Sequence, residues 1–133
     1  MATRMYAGGP LEDNSPVMSV LIVDDHRSFR AKARRLLEAE GFEVIGEAAD
    51  GHEAIVAAQQ LQPDVVLLDV RLPDLDGFEV AARLDALGVR SAIILTSTRP
   101  AADFGSLVAD APARAFIPKA ELSGAVLTGL LSA

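Results

Sequence analysis

Cysteine is absent from the 133 residues, and with it go disulfide scaffolds, cysteine-ligated zinc and thiol nucleophiles. Basic residues are outnumbered, 12 Lys and Arg against 19 Asp and Glu for a formal charge of −7, which argues against a free-standing nucleic-acid binder with its usual basic face. No apolar run approaches the ~20 residues needed to cross a bilayer; Val65–Leu68 is typical of what there is. Neither G-x-x-x-x-G-K-[ST] nor G-x-G-x-x-G occurs, which argues against nucleotide binding through a glycine-rich loop. The amino terminus lacks the apolar block of a signal peptide. With neither export signal nor cysteines, the expected location is the cytoplasm.

What remains is a globular composition, half hydrophobic and 23% charged, in a length that suits about one domain. Residues 1–18 mix Gly8-Gly9-Pro10, Glu12, Asp13, Asn14 and Pro16 without periodicity and are read as a disordered amino-terminal tail, with the domain over 19–133. From Ser19 onward, short apolar runs alternate with helical periods. Strands are expected at Ser19–Val23, Phe42–Glu47, Val65–Leu68, Ala92–Leu95 and Ala115–Ile117. Between them, Phe29, Ala33, Leu36 and Leu37 recur at helical spacing up to the stop at Gly41. Asp50 with Glu53 resembles a capping box for a helix that ends near Pro63. Val80, Ala81, Leu84 and Leu87 mark a third helix, closed by Gly88. A fourth, capped at Thr98 or a neighbour, holds Phe104, Leu107 and Val108. Ser123 caps the fifth, with Leu122 and Leu127 as a hydrophobic staple.

Five strands alternating with five helices predict an α/β fold: a doubly wound, five-stranded parallel sheet of flavodoxin-like order 2-1-3-4-5. Ligands of such sheets sit outside the carboxyl ends of the strands, at the reversal between strands 1 and 3. Strand 1 ends there in Asp24-Asp25 and strand 3 in Asp69. Three ionised carboxylates repel unless a counter-charge joins them, and a hard dication such as Mg²⁺ with oxygen ligands meets that need. Thr96 after strand 4 and Lys119 after strand 5 add a hydroxyl and an ammonium, completing a site suited to a phosphoryl group.

These stretches together resemble a response-regulator receiver domain of two-component signalling. The likeness is carried by Leu21-Ile22-Val23-Asp24-Asp25-His26, Val66-Leu67-Leu68-Asp69-Val70-Arg71-Leu72-Pro73-Asp74-Leu75-Asp76-Gly77, Ile94-Leu95-Thr96-Ser97 and Phe116-Ile117-Pro118-Lys119, with Asp25-His26 and Arg30 similar to the NarL-like branch. The resemblance implies that Asp69 accepts a phosphoryl group from a histidine kinase or phosphotransfer protein. It implies Mg²⁺ held by Asp25, Asp69 and the Arg71 backbone carbonyl, with Asp24 acting mostly through water. Lys119 and Thr96 would contact the phosphoryl oxygens, and Thr96 with Phe116 would form the switch. The chain would then be no enzyme beyond its own aspartyl phosphorylation and dephosphorylation. Arg71 and Thr98 occupy the positions that tune hydrolysis in the family. Ala120 stands where the family usually has proline, with Pro118 before the lysine instead.

Two rival functions are set aside on particular residues. A haloacid-dehalogenase-type phosphatase wants a second Asp two residues after the nucleophile, where Arg71 stands. A pseudo-receiver that never takes phosphate does not need the full set of Asp24, Asp25, Asp69, Thr96 and Lys119. The end of the chain just past the fifth helix favours a stand-alone receiver that switches protein–protein contacts, without nucleic-acid or membrane binding, over a piece of a longer NarL-like regulator. A homodimer through the last two helices and the fifth strand is a further expectation. His26 is read as a helix-start surface residue, His52 as plain surface, and Arg34-Arg35 as a solvated face. The helix between Thr98 and Asp110, with Pro100 and Gly105, is expected to be the mobile element.

Overall fold

The computed structural model describes residues 17–132; most of the expected tail, residues 1–16, lies outside them, as does Ala133. Five strands form one parallel sheet: β1 (Ser19–Val23), β2 (Glu43–Ala48), β3 (Val65–Asp69), β4 (Ala92–Ser97) and β5 (Ala115–Pro118). Their order is β2-β1-β3-β4-β5, as expected for a flavodoxin-like fold. Helices α1 (Arg27–Ala39), α2 (Gly51–Leu61), α3 (Gly77–Ala86), α4 (Leu107–Asp110) and α5 (Gly124–Ser132) connect or follow the strands.

The sheet is covered on both faces, which is why β1, β3 and β4 are largely apolar rather than alternating, while the edge strand β2 keeps Glu43 and Glu47 exposed. Val66 and Leu68 join Leu21, Val23, Ile93 and Leu95 on one face, against Ala54 and Ala58 of α2 and Val80, Ala81 and Leu84 of α3. On the other, Val65 and Leu67 join Val20, Ile22, Ile94 and Ile117 beneath Ala33 and Leu37 of α1 and Leu127 of α5. Met18 packs against this second face, and its carbonyl accepts from Glu43 N at 2.9 Å.

The helix ends follow the sequence signals. Asp50 accepts from Glu53 N at 2.8 Å, while Glu53 reaches back to Ala49 N at 2.7 Å, a reciprocal cap displaced by one residue from the usual form. Ser123 accepts from Val126 N at 3.0 Å, with Leu122 and Leu127 both buried beside it. Leu87 does not take part in the α3 face; it lies just past the helix and is 52% exposed.

The expected fourth helix is not continuous. Ala101–Phe104 forms a 3₁₀ turn after Pro100, Gly105 takes φ +59°, and α4 is a single turn from Leu107. Thr98 does not cap it, and Leu107 is half exposed rather than core. A left-handed glycine after one 3₁₀ turn resets the chain direction, so helical spacing of Phe104 and Leu107 does not imply one helix.

Candidate phosphoryl and metal site

The parallel register sets the site. Val23 pairs with Leu68, and Asp69 with Thr96, so Asp24 and Asp69 emerge side by side at the carboxyl edge with Thr96 next in line. Asp24 is fully buried and Asp69 is 3% exposed, whereas Asp25 faces solvent. Asp24 Oδ1 accepts from His26 N at 2.8 Å, and its Oδ2 lies 2.5 Å from Lys119 Nζ. The same ammonium is 3.4 Å from Asp69 Oδ2. Lys119 is held over the ring of Phe29 in α1, 4.4 Å from its centroid, a cation–π contact that steadies an otherwise flexible stem.

Ligand atoms of Asp24, Asp25, His26 and Asp69 lie within 4.8 Å of one another. Burial pushes the Asp69 carboxyl up to about 6, assisted by the Asp24 charge and only partly opposed by Lys119 and the Arg71 N–H. Burial comes first in that shift and the second carboxylate adds to it, and both disfavour the charged form. Three hard carboxylates, two of them buried, fit a divalent cation with oxygen preference. Arg71 N approaches Asp69 Oδ1 at 3.4 Å, and Arg71 lines a cleft of about 340 Å³ with Asp25, Asp69, Ser97, Thr98 and Lys119.

Of the expected residues, Asp24, Asp25, Asp69 and Lys119 are brought together directly, and the Arg71 backbone borders them. Thr96 is fully buried at the end of β4, and its Oγ1 has no hydrogen-bond partner. Ser97 faces the cleft, where its Oγ accepts from Arg99 N at 3.0 Å. Phe116 is half-buried on the α2–α3 face, not beside the carboxylates. Its ring lies 6.0 Å from Phe104, which is in turn 5.6 Å from Phe78 in an edge-on contact.

Three features escaped the sequence reading. His26 is exposed as expected, yet its Nδ1 lies 3.1 Å from Asp25 Oδ1 and 3.3 Å from Asp24 Oδ1; its place directly after the acidic pair was the available signal. His52 is exposed as expected, yet its Nδ1 lies 2.6 Å from Asp74 Oδ2. Asp74 ties the loop after β3 to the start of α2, accepting from Gly51 N at 2.7 Å, His52 N at 3.0 Å and Leu75 N at 2.8 Å. Those amides, Gly51 first, hold its carboxyl far below the usual range. Arg34 is likewise paired, with Glu47 and Glu38.

Residues 20–128 match the model of the response regulator receiver domain. The chain belongs to that family. Among curated relatives, the virulence-factor transcription regulator BvgA of Bordetella pertussis is 40% identical over 102 residues, covering 77% of this chain and 49% of the relative. The transcriptional regulatory protein PdtaR of Mycobacterium tuberculosis is 33% identical over 113 residues, covering 84% and 55%. The chain thus spans about half the length of the curated relatives it matches. Among solved structures, the receiver domain of the response regulator NarL from Mycobacterium tuberculosis superposes with a TM-score of 0.79 at 30% identity, over 90% of this receiver and all of that chain. A LuxR-family response regulator from Aurantimonas sp. gives 0.78 at 28%, covering 88% and 87%. No helix among the described residues of this receiver is long and apolar enough to cross a membrane.

Proposed function

We propose that this receiver accepts a phosphoryl group on Asp69 from a histidine kinase or phosphotransfer protein. A carboxylate oxygen of Asp69 attacks phosphorus, the donor's phosphorus–nitrogen bond breaks, and the imidazole leaves, giving an aspartyl phosphate. Asp25, Asp69 and the Arg71 carbonyl, with Asp24 mostly through water, would hold Mg²⁺, which would neutralise the charge of the transferring group. Lys119 sits where a phosphoryl oxygen on Asp69 would need a cation. The single observation carrying this reading is the crowding of buried Asp24 and Asp69 around one ammonium, which leaves Asp69 reluctant to ionise alone.

The unpartnered hydroxyl of Thr96 supports its part in the switch, because a buried hydroxyl without a partner costs about 1–3 kcal/mol. A phosphoryl oxygen on the neighbouring Asp69 offers it an acceptor. Phe116 then responds through the Phe104 ring, altering the face of α4, β5 and α5, where a target protein or a second copy docks. Output through protein–protein contacts is the reading for the receiver alone. That the similar BvgA and PdtaR are named as transcription regulators, and that the match covers only about half of each, favours control of a DNA-binding partner or segment as a second reading.

The test is labelling by a small phosphodonor such as acetyl phosphate, followed by intact mass. Wild type gains one phosphoryl group and Asp69→Asn gains none. Equal labelling of the variant contradicts the assignment.

A further inference from the structure

Arg30 carries a charge into a partly buried position that the proposed chemistry does not use. It lies one turn into α1 with its side chain 15% exposed. Its Nη1 donates to the backbone carbonyl of Asp24 at 2.6 Å, and its Nε donates to Glu47 Oε1 at 2.9 Å. Glu47, from the edge strand β2, also receives Arg34 through Nε and Nη2, each at 2.9 Å from Oε2. Burial alone would lift the Glu47 carboxyl, but the bonds from Arg34 and Arg30 outweigh it and hold it low. An ionised Glu47 therefore fixes the guanidinium fork from the far side.

The peptide that Arg30 grips is the one linking the two acidic residues. β1 ends at Val23, and Asp24 N is tied to Ala48 O at 3.0 Å. Its carbonyl is tied by Arg30. With both ends of that unit fixed, the Asp24 and Asp25 carboxylates leave the backbone in set directions. From this geometry we infer that Arg30, oriented by Glu47, is a positioning residue for divalent-cation binding. It acts through the Asp24–Asp25 peptide and touches neither the ion nor the phosphoryl group. The inference rests on the metal reading of the acidic cluster.

The sign of the effect separates this role from a purely electrostatic one. A positive charge beside a cation site repels the cation, so removing it would tighten Mg²⁺ binding if charge were all that mattered. A lost brace weakens binding, as loss of outer partners does at metal sites. The experiment is calorimetric titration of Mg²⁺ into wild type, Arg30→Met, Arg30→Lys and Glu47→Gln, alongside labelling rates over a range of Mg²⁺. Arg30→Met is expected to raise the Kd by about tenfold, the lower end of the usual range for outer partners, and Glu47→Gln by a smaller factor. Arg30→Lys, which keeps the charge but loses the fork, is expected to fall with Arg30→Met. Labelling of all three recovers to wild-type rates at saturating Mg²⁺. Should Arg30→Met fail to fold, Glu47→Gln and Arg30→Lys carry the test. Unchanged or tighter Mg²⁺ binding in folded variants overturns the inference, as does slow labelling at every Mg²⁺ level. A wild type that binds no Mg²⁺ overturns the metal reading as well.

Discussion

Asp69 is the residue on which several demands meet. As the proposed nucleophile it would need to be ionised, yet its burial and the neighbouring Asp24 raise its carboxyl from 3.8 to about 6. An acid whose folded value is raised contributes stability that is fully present below its unfolded value and is lost as pH rises through the folded one. Chelator-treated protein should therefore lose stability between about pH 4 and 6. Asp69→Asn, which removes the charge, should stabilise it by about 1–3 kcal/mol at pH 7. Thermal melts at pH 4 and pH 7 check this, with the variant's advantage appearing only at the higher pH. An equal advantage at both would mean that shape, not ionisation, sets the cost. The chain accepts this costly cluster at the carboxyl edge of the sheet, where the proposed phosphoryl site lies.

Elements position these residues through a few close approaches. At Gly77, the first residue of α3, a Cβ would collide with the Asp69 carbonyl and lie 2.8 Å from Val70 Cα, and Gly77 N donates to Val70 O at 2.6 Å. Glycine to alanine in a helix is usually favourable, but backbone atoms cannot give way. Gly77→Ala is expected to destabilise by about 2 kcal/mol in urea unfolding, and a stabilised variant would contradict the packing. The segment after β4 makes the opposite case. Neither the 3₁₀ turn at Ala101–Phe104 nor α4 contains a fully buried residue, so its amides should exchange roughly 100-fold faster than those of β4. Uniform protection across 92–110 would refute its being the mobile element.

These elements also mark what could be read from residues alone. The strands were legible because β1, β3 and β4 are buried on both faces, which leaves short unbroken apolar runs. α2 and α5 were legible through Asp50, Glu53 and Ser123, whose side chains bond local amides. The strand-end rule then brought Asp24, Asp25, Asp69 and Lys119 to one place. Less accessible were interactions set by distance in space. Asp74 grips the start of α2 across 23 residues, Phe29 supports Lys119 from another element, and Arg30 meets Glu47 only once β2 lies beside β1. The break at Gly105 was hidden for a different reason: helical spacing survives a kink that only a positive φ reveals.

As a whole molecule, the receiver couples a rigid sheet to one charged edge. Val65–Leu68 sits at its centre, both faces are filled, and the site is assembled from β1, β3, β4 and β5 at the same end. On the proposed reading, added charge would be felt most by the parts packed most lightly: the segment after β4 and the half-buried Phe104 and Phe116. Its claim to function reduces to a divalent ion letting Asp69 take phosphate. The most direct measurement is to label the full chain with acetyl phosphate in Mg²⁺ and in chelator, then locate the group by peptide mass mapping. One phosphoryl group on Asp69, formed with Mg²⁺ and missing in chelator, is the result predicted. A label on another residue, or one on Asp69 that forms equally well without the ion, would contradict it.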